Sequence, residues 1–124
     1  MYSMVLVSSR TEDLVEFTEA LSRKSGIVLS VVETADEMLR LVRDDSPDLV
    51  ILDEELKDIN PLRLVITVLS INAMVNTAMI TSMDAEMWHE KSEGLGMLPP
   101  LANPPTAADA DSLLERLQAV VGTG

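Results

Sequence analysis

The chain has 124 residues and no cysteine, which excludes disulfides, thiol catalysis and cysteine-based metal sites. Aromatic residues are scarce: Tyr2, Phe17 and Trp88 are the only three. His89 is the single histidine, so no second one exists for a relay or a metal pair, and a surface place on a helix suits it. Cations are few as well, with 9 Lys and Arg against 21 Asp and Glu and a formal charge of −12. That balance excludes the basic footprint needed for direct nucleic-acid binding and disfavours an anionic membrane surface. Its simplest consequence is solubility, and its sharper one is a basic protein partner. No apolar run approaches the roughly 20 residues that span a bilayer. Met1 to Val7 lacks the basic stretch and long apolar core of a signal peptide, so the expected location is cytoplasmic.

Strand-like and helix-like segments alternate along one expected domain, 1–124. Val5 to Val7 predicts a short strand, and Thr11 is placed to cap a helix from about Glu12 to Arg23 with Leu14, Phe17 and Leu21 on one face. Gly26 precedes a second strand, Ile27 to Val32. Thr34-Ala35-Asp36-Glu37 has the capping-box pattern ahead of the stripe Met38, Leu41 and Val42. Asp48 to Asp53 predicts a third strand, buried on both sides because its apolar run is continuous. Pro61 suits the first turn of a helix with Leu62, Val65, Ile66 and Leu69. Thr77 to Thr81 predicts a fourth strand, Asp84 caps a helix to about Ser92, and a short fifth strand falls within Gly94 to Pro100. Thr106 to Val121 closes the chain as a helix with Leu113, Leu117 and Val120 inward. This order predicts an α/β fold: a doubly wound five-stranded parallel sheet with helices on both faces.

In such sheets, ligands gather outside the carboxyl ends of the strands, where Asp53 stands. A strand closing in Leu49-Val50-Ile51-Leu52-Asp53, with Thr81 at the end of the next strand, resembles the receiver domain of bacterial response regulators, the CheY-like family of flavodoxin-like fold. The resemblance spans nearly the whole chain. It implies that Asp53 is the phosphoacceptor for a histidine kinase and Thr81 the switch hydroxyl that bonds the phosphoryl group, with Ser82 an adjacent alternative.

Against that family the site is depleted. Ser8 and Ser9 stand where two acids would hold magnesium. Magnesium prefers carboxylate oxygens and sheds water reluctantly. Each lost carboxylate at about 4 Å removes roughly 1–4 kcal/mol of attraction, so no metal is expected and Asp53 and Glu55 are only weak ligand candidates. The family's lysine-proline pair is expected near Leu98-Pro99-Pro100, where no lysine occurs and Lys91 lies too early. A cis peptide is expected among these prolines. The aromatic switch residue is absent too. Glu54 to Asp58 either form a solvated acidic loop, or Glu54, Glu55 or Asp58 supplies a replacement carboxylate for a cation. Arg10 either points to solvent or pairs with a nearby helix residue, or else reaches Asp53 as a fixed cation in place of the missing ion.

The functional expectation is an atypical receiver in two-component phosphorelay signalling. It would act through protein–protein contacts with little or no magnesium-dependent phosphorylation, without a cofactor and not as an enzyme. The alternative is a working single-domain phosphoacceptor that takes a phosphoryl group at Asp53 and uses magnesium. The expected partner is a histidine kinase or a downstream signalling protein. At 124 residues no attached output domain is expected. Met74, Met79, Met83, Met87 and Met97 are expected either to fill the core or to crowd an adaptable output surface, which makes a homodimer plausible. A small-molecule or cofactor binder is disfavoured, since no glycine-rich phosphate loop follows the first strand.

Overall fold

The computed structural model describes residues 1–57 and 59–121. Strands β1 (Tyr2–Val7), β2 (Ile27–Val32), β3 (Leu49–Asp53) and β4 (Asn76–Ile80) alternate with helices α1 (Val15–Ser22), α2 (Ala35–Asp45), α3 (Pro61–Ile71), α4 (Ala85–Ser92) and α5 (Ala107–Val121). All strand pairs are parallel, in the order β2-β1-β3-β4. Every residue of β3 is buried, as a strand covered on both faces requires. Alternation along the strands sends Met4, Leu6, Leu49, Ile51, Ala78 and Ile80 into one core with Phe17 and Leu21 of α1 and Leu113 and Leu117 of α5. The opposite parity sends Val5, Val7, Val50, Leu52 and Met79 into a second core against Met38, Val42, Val65, Val68 and Trp88.

Several helix starts follow from the sequence. Thr34 Oγ1 accepts from the Glu37 amide at 3.2 Å, and Asp84 Oδ1 from the Met87 amide at 2.8 Å. Asn60 Oδ1 accepts from the Leu62 amide at 2.9 Å, with Pro61 opening α3. Thr11 does not cap α1. It begins a 3₁₀ turn, Thr11–Leu14, which delivers the chain from the end of β1 into the helix.

The fifth strand is not formed among the described residues, so the sheet has four strands rather than five. The segment runs beside β4 and makes one isolated parallel bridge, Leu101 to Ile80. Leu98 and Leu101 donate their amides to Thr77 and Met79, and Leu101 accepts from the Thr81 amide, each at 2.9 Å. Pro99 and Pro100 between them have no N–H to donate, so a continuous ladder cannot form. The cis bond is Asn103–Pro104, further along than expected.

Two helix faces also differ from expectation. Val120 is 59 % exposed and Ile66 55 %, while Ala110, Leu64 and Val68 take inward places. α5 has 15 residues, about 22 Å, and its buried residues Ala110, Leu113 and Leu117 end four residues before its last one. The methionines separate as well. Met79 is core, while Met74 is exposed beside the amino end of β4, at the sheet end away from Asp53. Only Met83, Met87 and Met97 remain near α4.

Candidate functional site

Four segments converge at the carboxyl ends of the strands: Ser8 to Arg10 after β1, Asp53 to Glu55 at the end of β3, Thr81 and Ser82 after β4, and Asn103 before α5. Asp53 closes a strand with no exposed residue and is itself fully buried. A buried carboxylate is costly unless its lone pairs are met by donors, and here they are. Ser8 Oγ donates to Oδ2 at 2.7 Å, and the Glu55 amide donates to Oδ1 at 3.0 Å. Arg10 donates from Nε to Oδ2 at 2.8 Å and from Nη2 to Oδ1 at 2.9 Å. Four donors thus meet the roughly four lone-pair sites of one carboxylate.

Arg10 is held in turn. Its amide donates to Ser8 Oγ at 3.0 Å, and Nη2 donates to Asn103 Oδ1 at 2.7 Å and pairs with Glu55 Oε2 at 3.2 Å. Of the two readings of this arginine, the structure places it on Asp53. Burial alone would push the Asp53 carboxyl upward. Hydrogen bonds from Arg10, the Glu55 amide and Ser8, together with the Arg10 charge, outweigh burial and leave it below its ordinary value. The guanidinium is shifted the opposite way, chiefly by its hydrogen bond to Asp53.

A second carboxylate forms its own cluster beside the first. Glu54 Oε1 accepts from Thr81 Oγ1 at 2.7 Å. Its Oε2 accepts from the Ser82 amide at 2.8 Å, the Ser82 hydroxyl at 3.0 Å and Asn103 Nδ2 at 2.6 Å. Asn103 Nδ2 also donates to Glu55 Oε2 at 2.9 Å, so this side chain links both carboxylate clusters. Burial raises the Glu54 carboxyl, but the bonds from Thr81, Asn103 and Ser82 prevail and lower it.

The expected site residues are therefore not one constellation. Ser8, Arg10, Asp53 and Glu55 come together, while Thr81 turns its hydroxyl to Glu54 rather than Asp53. Ser9 is exposed and makes no hydrogen bond to Asp53. Asp58, a replacement-carboxylate candidate, lies outside the described residues. Asn103, which the sequence did not single out, lies four residues beyond Pro99 and directly precedes the cis Pro104. The X-Pro dipeptide was the available signal for it. Glu54 carried no such signal, because one acid in an acidic loop does not reveal which way it turns.

These donors do not fit magnesium. Both Asp53 oxygens already accept from N–H and O–H groups, and Arg10 brings positive charge to the place a cation would need. Among the described residues, no three His, Cys, Asp or Glu side chains gather as a metal site. His89 is exposed on α4. Among the described residues no helix is long and apolar enough to cross a membrane.

No family model matches the chain, and no curated protein matches its sequence. Solved structures do match its fold. It is similar to a CheY-like response regulator receiver domain protein from Methanospirillum hungatei JF-1, with TM-score 0.81 at 19 % identity, covering 98 % of this chain and 99 % of that one. The chemotaxis response regulator CheY4 of Vibrio cholerae superposes with TM-score 0.81 at 16 % identity, covering 94 % and 98 %. The signal receiver domain of an HD domain-containing protein from Pseudomonas fluorescens Pf-5 gives 0.78 at 21 %, covering 97 % and 94 %. The chain has the fold of a CheY-like receiver domain, an α/β fold with a parallel sheet between layers of helices.

Proposed function

We propose that this chain is an atypical receiver module of two-component signalling that acts by binding a protein partner, with Asp53 held out of phosphoryl transfer. The observation that carries the reading is the two-pronged grip of Arg10 on both oxygens of Asp53. Attack on a phosphodonor needs a free carboxylate oxygen and a cation that can bridge to the incoming phosphoryl group. Asp53 has its oxygens engaged, and its cation is a side chain that cannot leave. The receiver fold, the missing acidic pair and the asparagine before the cis proline support the same reading. A formal charge of −12 favours a partner with a basic surface. The module is proposed to be cytoplasmic and not itself an enzyme.

The test is incubation with acetyl phosphate, and separately with beryllofluoride, each with millimolar magnesium. Intact mass and the fluorescence of Trp88, the residue that α4 buries in the second core, report the outcome. The expected result is no adduct and no saturable change. A saturable response abolished in Asp53→Asn would establish the working phosphoacceptor instead.

A further inference from the structure

Glu54 has no part in the grip on Asp53, yet donors from two separate segments converge on it. Thr81 and Ser82 come from the turn between β4 and α4, and Asn103 comes from the loop before α5. Thr81 Oγ1, while donating to Glu54, accepts from the Met83 amide at 3.1 Å, so the bond is passed one step nearer to α4. Asp84, the next residue, caps that helix. The order is thus Glu54 to Thr81 to Met83 to the start of α4, with each link a hydrogen bond or a peptide bond.

We infer that Glu54 is a resident anion that keeps the β4–α4 turn drawn onto the end of β3, so that α4 holds one position without covalent modification of Asp53. It is a positioning residue, because its effect reaches the α4 surface only through Thr81, Ser82 and Met83. A carboxylate suits this place because every polar group it meets is a donor: one amide N–H, two hydroxyls and one side-chain amide. The charged neighbours of the cluster are Glu55 and Arg10, both reached through Asn103, and Lys91 of α4, which lines the same cleft as Glu54, Asn60, Leu62 and Met83. This deepens the reading above, since a module whose phosphoacceptor is locked needs another source of order in its switch loop.

The experiment is hydrogen exchange by mass spectrometry on the full chain without any phosphodonor, comparing native protein with Glu54→Gln and Glu54→Ala. In Glu54→Ala, the Ser82 and Met83 amides should exchange about tenfold faster or more, the loss expected for one charge-assisted hydrogen bond. Amides of β1 and β2 should keep their native rates. Glu54→Gln should fall between, because its amide keeps one acceptor for Thr81 and turns an N–H toward Ser82. Should Glu54→Ala fail to fold, Glu54→Gln carries the comparison. Unchanged exchange at 82 and 83, or a uniform increase across the sheet, overturns the inference. Because no phosphodonor is present, phosphorylation of Asp53 in the separate assay would remove the earlier reading and leave this one standing.

Discussion

Arg10 and Asp53, 43 residues apart in sequence, form a bidentate ion pair in which both carboxylate oxygens receive a guanidinium N–H, at 2.8 and 2.9 Å. The fork fixes orientation as well as charge, which a spherical cation does not. Asp53 is fully buried and the Arg10 side chain is 18 % exposed, so the pair is shielded on one side and reached by water on the other.

Breaking the pair from either end leaves a charge without its partner. Asp53→Asn leaves the guanidinium with Glu55 as its remaining ion-pair partner and Asn103 as a neutral acceptor, and Arg10→Met leaves a buried carboxylate with only Ser8 and an amide. Loss of one member of a fully buried pair costs roughly 3–5 kcal/mol; partial exposure of Arg10 reduces this to about 2 kcal/mol for Asp53→Asn. Arg10→Met should cost more than Asp53→Asn, because the carboxylate is the deeper group. Urea unfolding of both singles and the double variant gives the coupling energy, expected at about 1–3 kcal/mol. Simple additivity would mean that the grip contributes nothing.

Acid should unfold the protein partly through the same carboxyls. Asp53 and Glu54 both lie below their ordinary values in the folded chain. Each therefore binds fewer protons folded than unfolded, and its stabilisation is complete above ordinary carboxylate values of about 4. It drains away as pH falls through the lowered values. Thermal melts from pH 7 to pH 3 should show a shallower decline below about pH 4.5 for Asp53→Asn and Glu54→Gln than for the native chain. Parallel declines would remove both groups from the account.

The buried third strand, the helix caps at Thr34 and Asp84, and Pro61 at the start of α3 were legible because each depends on neighbours in sequence. Leu49 to Leu52 needs only its own apolar continuity to predict burial. The site was less legible because its bonds cross the chain. Arg10 offered two directions, and only the placement of β1 beside β3 decides between them. Asn103 was missed because Pro99 and Pro100 drew the fifth strand too early. In three dimensions they only interrupt the ladder and leave Leu101 as its single bridge. Val120 followed the helical period of α5, but the buried stripe of that helix ends at Leu117, and periodicity alone does not say where a stripe stops.

Removing the fixed cation and supplying acids should make room for a mobile one. Arg10→Ala combined with Ser8→Asp and Ser9→Asp frees the Asp53 oxygens and brings two carboxylates to the end of β1. The triple variant should bind magnesium saturably in the millimolar range, followed by calorimetry and Trp88 fluorescence, while the native chain gives no saturable signal. Saturable magnesium binding by the native chain would show that Arg10 does not keep the ion out.

Salt separates this pair from the surface charges. A formal charge of −12 means that carboxylates repel across the folded surface, and raising salt from 0.1 to 1 M shortens the screening length from about 10 to 3 Å. The native melting temperature should therefore rise with sodium chloride. Lys24, just after α1, pairs with Asp111 of α5, whose side chain is 67 % exposed, and Lys24→Ala should cost under about 1 kcal/mol, fading at 1 M. The Arg10→Met penalty should change little over that range, because Asp53 is fully buried and its partner lies in contact. If 1 M salt erases the Arg10→Met penalty along with that of Lys24→Ala, the pair behaves as a solvated surface contact. The locked reading of Asp53 then fails.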